Sequence, residues 1–274
     1  LGGDIQLAAK QFPNTNYTWK GPNGFTSNIP NPIISNATIN DSGYYYVDAN
    51  LVGCGTSTDS IHITINSLPT FELLKTLDTV CIGNSKSIAF SLTGKSPWEL
   101  VYNDGIKNDT IRNISSSQYS FTVSPTEKTI YSFVSVSDSN ACLANAASIQ
   151  AKDTIVVNQL PIADFTYSPT HCEKTETTFT DASMPDLDPI KEWYWDMGNG
   201  STHTLYTNAP IKEIYTNWGS YEVRLAVKSN MGCLSDTAKK PIAIKSTPLV
   251  GFKSPSVCLD GGIAIFKDTS TSPD

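Results

Sequence analysis

Short stretches in which apolar and polar residues take turns run through the whole chain. Trp98, Leu100 and Tyr102 fall on one side of a two-residue period, as do Tyr119, Phe121 and Val123. Further along, Trp193, Trp195 and Met197 share one side, and Tyr221, Val223, Leu225 and Val227 share another. A period of two sends successive side chains to opposite faces of an extended strand, so these segments predict half-buried β-strands. The last two sets are expected to meet as opposing faces of one core. Asn103-Asp104-Gly105 marks a tight turn. Gly198-Asn199-Gly200 suits a turn that needs positive φ, with Asn199 tolerating the left-handed region.

The alternation is interrupted three times by nearly the same phrase: Asn66-Ser-Leu-Pro-Thr-Phe71, Asn158-Gln-Leu-Pro-Ile-Ala-Asp-Phe165 and Ser246-Thr-Pro-Leu-Val-Gly-Phe252. Each follows an alternating apolar run, and a proline directly after a strand ends the ladder and stiffens the link. Pro69, Pro161 and Pro248 lie 92 and 87 residues apart, the size of a small β-sandwich. The expected division is therefore 1–67, 68–159, 160–246 and 247–274, with the first and last units incomplete. The fold class is all-β: tandem sandwiches strung like beads.

Cysteines repeat with the same beat. Cys81, Cys172 and Cys258 follow a boundary proline, whereas Cys54, Cys142 and Cys233 precede the last strand of a unit. Cys81 to Cys142 and Cys172 to Cys233 both span 61 residues, so these are the expected disulfides, each closing its own unit. Residues 1–7 align with 259–265, the latter preceded by Cys258. Partners for Cys54 and Cys258 are thus expected outside this segment. Regular disulfides imply an oxidising, extracytoplasmic location.

Composition narrows the partners. Only 16% of residues are charged and the formal net charge is −7, which leaves no basic footprint for nucleic acid. No apolar run approaches the ~20 residues of a membrane span, and the opening LGGDIQLAAK lacks the order of a signal peptide. A soluble, monomeric segment of a longer precursor is expected.

The first unit carries Tyr17-Thr-Trp19-Lys20 and then Asp41-Ser-Gly43-Tyr-Tyr45. This resembles the immunoglobulin-like fold, with Trp19 as the strand tryptophan and Asp41, Gly43 and Tyr45 forming a D-x-G-x-Y tyrosine corner. The family's inter-sheet cysteines match Ala9 and Val47 here, which implies apolar packing around Trp19 and a missing first strand. In the second unit SPWELVYNDG, SPTEKTIYSF and VSVSDSNAC are similar to modules of large bacterial surface proteins exported by the type IX system, including gliding-motility-associated adhesins. In the third, Trp195-Asp196-Met-Gly198-Asn-Gly200 resembles the WDFGDG signature of PKD (polycystic kidney disease) domains. It is followed by Tyr215-Thr-Asn-Trp-Gly219-Ser-Tyr221, which matches that family's Y-x-x-x-G-x-Y strand entry.

These resemblances imply a non-catalytic adhesive or structural array. Its partners would be neighbouring domains, surface glycans or other cell-surface proteins. The alternative they imply is a set of accessory modules on a secreted hydrolase or protease. The residues themselves agree that catalysis is not expected, because no GxSxG, HExxH or P-loop occurs and His62, His171 and His203 lack a nucleophile motif. No cofactor or metal is called for. Asp181, Asp186, Asp188 and Asp196 are the carboxylates near the WDMGNG turn that a cation would have to use. Tyr44, Tyr46 and Trp218 are expected to be exposed aromatics of the kind that stack on sugars. Asp-Ser/Thr-aliphatic triplets such as Asp109-Thr-Ile resemble O-glycosylation acceptors of type IX bacteria, and equally suit strand entry.

Overall fold

The computed structural model describes residues 3–169, 171–253, 256, 263 and 265–272. Among these the regular structure is β-strand apart from three short 3-10 turns. Two compact units are present, one formed by Leu1–Thr76, Ile88–Phe121 and Ile130–Asp153, the other by Leu77–Ser87, Thr122–Thr129 and Thr154–Asp274.

The N-terminal strands are β1 (Ile5–Gln6), β2 (Thr15–Lys20), β3 (Thr26–Ser27), β4 (Ile33–Ile34), β5 (Gly43–Leu51) and β6 (Gly55–Ile63). They form a β1-β4 pair and a four-stranded sheet in the order β3-β2-β5-β6. Trp19, Tyr45 and Leu7 make the core, with Ala9 and Val47 packed against it. Apolar contact thus stands where the resemblance would have had a disulfide. Tyr45 Oη donates to the carbonyl of Asp41 at 2.7 Å. The Asp41 carboxylate accepts from Thr38 N at 2.8 Å and Thr38 Oγ1 at 2.9 Å. Those bonds and one from Asn23 hold its pKa below the ordinary carboxylate value. Gly43 has φ +142, and a Cβ there would lie 2.7 Å from Pro22, so the corner demands glycine.

In the middle of the chain lie β7 (Phe71–Leu73), β8 (Leu77–Cys81), β9 (Lys86–Leu92), β10 (Trp98–Asn103), β11 (Asn108–Ile114), β12 (Gln118–Val123), β13 (Thr129–Ser137) and β14 (Lys152–Asn158). β10 pairs antiparallel with β11 and β13, and β7 pairs with β9. Trp98 and Leu100 are buried, as their shared face predicts. The β10–β11 turn is the expected one: Asp104 Oδ1 accepts from Ile106 N and Lys107 N while Gly105 takes φ +93. In the other compact unit, β8 runs parallel to β14, placing Cys81 beside Asn158.

The following strands are β15 (Phe165–Tyr167), β16 (Glu176–Asp181), β17 (Ile190–Asp196), β18 (Thr202–Leu205), β19 (Ile211–Ile214), β20 (Gly219–Ser229) and β21 (Ala238–Ile244). A sheet β15-β16-β19 covers a sheet β18-β17-β20-β21. The short pair β22 (Phe252–Lys253) and β23 (Lys267–Asp268) comes after them. Trp193, Trp195, Met197, Val223, Leu225 and Val227 all enter one core with Phe165 and Phe179. One expectation is corrected here. β17 and β20 are neighbours in a single sheet, with Trp195 opposite Leu225, and the opposing face comes from β15, β16 and β19. Trp195 meets Phe165 edge-on at 5.2 Å between centroids, a favourable aromatic geometry.

The turn between β17 and β18 places its glycines for different reasons. Gly198 has φ +76, and a Cβ would sit 2.6 Å from the carbonyl oxygen of Glu222, whereas Gly200 has φ +93 and open space. Asn199 does not take positive φ; its Oδ1 instead accepts from Ser201 N at 2.9 Å. Tyr215 Oη, buried, donates to the carbonyl of Met197 at 3.0 Å, and burial drives its pKa upward. Gly219 has φ +145 and starts the strand that carries Tyr221, whose ring lies 4.5 Å from that of Tyr215.

The cysteine pairing also differs from expectation. Cys81 is bonded to Cys233, 152 residues away with Cα atoms 5.5 Å apart. Cys142 and Cys172 are half-buried thiols and Cys54 an exposed one. Cys81 ends β8 beside the end of β14, and there it meets the turn after β20 that holds Cys233. Both cysteines belong to the second compact unit, but in sequence the bond crosses the boundary phrase at Pro161. Cys258 lies outside the described residues.

Gly200→Ala is expected to cost about 1 kcal/mol for its backbone conformation alone, and Gly198→Ala about 3 kcal/mol, because strain and a backbone clash combine. Urea unfolding midpoints at unchanged slope measure both. By the same measurement Tyr215→Phe is expected to cost about 1–2 kcal/mol, since it orphans a buried carbonyl. Tyr221→Phe, whose hydroxyl bond to Asn217 is exposed, is expected to cost at most a few tenths of a kcal/mol.

Candidate functional site

A polar cluster at the edge of the C-terminal sandwich contains the residue types of a hydrolase. His203 Nε2 lies 3.1 Å from Ser201 Oγ and 3.2 Å from Glu213 Oε2. Asn199 Nδ2 donates to Glu213 Oε1 at 2.8 Å. A nucleophilic relay needs one imidazole nitrogen for the hydroxyl and the other for the carboxylate. Here the same nitrogen meets both, so no proton path runs from Ser201 through the ring to Glu213. His203 is on β18 and Glu213 on β19, which belong to different sheets. The cluster therefore clips the two layers of the sandwich together. Residues from separate strands converge here, and no periodicity in the sequence signals it.

The four carboxylates named from the sequence are not brought together. Asp181 Oδ1 accepts from Ser183 N and Asp196 Oδ1 from Gly198 N, each at 3.0 Å. Asp186 accepts from Gln159 N, and Asp188 from Met231 N. Each caps a different stretch of loop backbone. Among the described residues no group of three or more His, Cys, Asp or Glu side chains is arranged to hold a metal ion.

Two surfaces of the N-terminal sandwich remain. On the outer face of β5, Tyr44 and Tyr46 are 56% and 47% exposed, flanking the fully buried Tyr45. Their rings lie 6.1 Å apart, and Tyr44 meets His62 of β6 edge-on at 4.8 Å. The strand period fixes this row: three rings on one flat, solvent-facing patch. Trp218, also half-exposed, belongs to the loop before β20 and not to the patch. The second surface is a cleft of about 400 Å³ between β6 and the chain from Gln6 to Phe12, lined by Leu7, Phe12, Tyr17, Trp19, Ile61 and Ile63 among others. Lys10 and Asp59 are the charged residues in its lining. Strand β6 is the outermost strand of its sheet, so one side of the core is left uncovered there. The sequence pattern did not reveal the cleft, because each of its residues reads as ordinary core or edge.

Among the described residues no helix is long and apolar enough to cross a membrane. Residues 158–244 match the family model described as PKD domain. The PKD1 domain of Vibrio anguillarum Epp is 22% identical, covering 33% of this chain and 99% of its own at a TM-score of 0.29. The PKD1 domain of the Vibrio cholerae metalloprotease PrtV is 28% identical, covering 31% and 96% at a TM-score of 0.27. The titin I-band fragment I67-I69 is 12% identical and covers 89% of this chain and 92% of its own at a TM-score of 0.51. No curated protein matches the chain. The segment is thus an array of β-sandwich domains of PKD-like and immunoglobulin-like fold.

Proposed function

We propose that this chain is a non-catalytic structural and adhesive segment of a large extracellular bacterial multidomain surface protein, organised as repeats 1–67, 68–159, 160–246 and 247–274. The observation that carries this reading is the Cys81–Cys233 bond. A disulfide implies an oxidising compartment, and one spanning 152 residues shields that whole length from tension applied at the chain ends. Export by a type IX system and a link to gliding motility follow from the resemblance of the second repeat. Brief protease treatment of intact cells tests the location. Peptides from this segment are expected among the released fragments, and their recovery only from the cytosol would overturn the reading.

The mechanical consequence is measurable. In single-molecule pulling, reduction of the bond is expected to add about 500 Å of contour length, from 152 residues at about 3.5 Å each. Equal lengths with and without reductant would show that the bond carries no tension.

A second reading, accessory modules that hold a secreted enzyme against a glycan, is favoured by the exposed row of Tyr44, Tyr46 and His62. Aromatic faces of this kind stack on sugar rings. A glycan array probed with the purified chain checks it. Binding is expected to fall at least tenfold in the Tyr44→Ala/Tyr46→Ala double variant with the circular dichroism spectrum unchanged. A variant that binds as well as the parent would exclude the patch.

A further inference from the structure

Cys81 and Cys172 occupy the same socket. Cys81 stands parallel to Asn158 and Cys172 to Lys245. Asn158 and Lys245 each precede a boundary proline, Pro161 or Pro248, by three residues. The residue after each cysteine donates to that last-strand partner: Ile82 N to Asn158 O and Glu173 N to Lys245 O, both at 2.9 Å. Three residues on, Asn84 N and Thr175 N turn back to the cysteine carbonyls at 3.0 and 3.3 Å. The intervening Gly83 and Lys174 both take positive φ.

Cys142 and Cys233 share a second socket. Asp138 N donates to Cys142 O at 3.1 Å, as Ser229 N does to Cys233 O at 2.9 Å. Each cysteine N–H is returned to the side chain four residues back, Asp138 Oδ1 at 3.1 Å or Ser229 Oγ at 3.2 Å. Ala144 N to Val136 O and Ser235 N to Val227 O, both 2.8 Å, close the two turns alike. Ala141 and Gly232 take positive φ at the same place. Cys54 is held differently, donating to Leu51 O in the β5–β6 hairpin.

Among the described residues two copies of each socket are therefore present, and the Cys81–Cys233 bond joins the early socket of one repeat to the late socket of the next. We infer that this is the rule of the whole array: Cys172 is built to bond the late-socket cysteine of the repeat that begins at Pro248, and Cys142 the early-socket cysteine of the repeat containing Trp19. Successive repeats would then be stitched by disulfides across each proline link. The inference rests on socket geometry and repeat order, and holds whether the array is a stalk or an enzyme's accessory. Each stitch removes a proton from both thiols and two electrons from the pair. The acceptor is the disulfide of a dithiol oxidoreductase in the export pathway, which is left as two thiols.

The test is disulfide mapping of the full-length protein from its native host, with free thiols blocked by N-ethylmaleimide before digestion. The expected result is a Cys172 peptide joined to a cysteine of the following repeat, a Cys142 peptide joined to one of the preceding repeat, and Cys81 joined to Cys233. A Cys142–Cys172, Cys81–Cys142 or Cys172–Cys233 peptide would overturn the rule, as would maleimide on Cys142 or Cys172. In the 274-residue segment alone, Cys142 and Cys172 are expected to label fully while Cys81 and Cys233 do not. Protection of either of the first two would equally overturn it.

Discussion

Burial of alternate side chains between two facing sheets is the constraint on which this chain depends. A sandwich of this size has room for one layer of interdigitated residues, so a few large rings supply most of each core. In the C-terminal sandwich Phe165 and Phe179 from one sheet close on Trp195 from the other. In the N-terminal one Trp19, Tyr45 and Leu7 carry the load. Every hydroxyl that comes inside with such a ring must find an acceptor. Tyr45 and Tyr215 solve this the same way, by donating to a backbone carbonyl at a bend. The turns around them then have no freedom left, which is why Gly43 and Gly198 sit where any Cβ would strike a neighbour.

Much of this is legible in the residues. A period of two identifies the buried face of β10, β17 and β20, and the tyrosine corner announces itself by Asp41, Gly43 and Tyr45. Periodicity gives a face, however, and not the identity of the layer across from it. The apolar sides of β17 and β20 look like two halves of a core, yet they are adjacent strands in one half, because a period of two says which side chains share a face and not which strands pair. Asn199 illustrates a related ambiguity: the residue suits a left-handed turn position and also a side-chain cap, and the backbone chose the cap.

The disulfide pairing was hidden by translational symmetry. When early and late cysteines recur once per repeat, a separation of 61 residues inside a repeat and one of 152 residues to the next are both compatible with the beat. Spacing alone cannot rank them. What decides is where the sockets lie: the early cysteine is held at the end of the last strand of its own repeat, beside the link, where the chain passes to its successor. The polar cluster of Ser201, His203 and Glu213 was hidden for another reason, since its members come from two sheets and mean nothing until these are stacked.

The Cys81–Cys233 bond has one more effect, on survival of proteolysis. Exposed loops are where peptidases cut a folded chain. A single scission anywhere between these two cysteines would open the polypeptide without dividing it, because the sulfur bridge still joins the two pieces. Breakage of the peptide chain and separation of its two pieces thus become distinct events over the 152 residues that the bond spans.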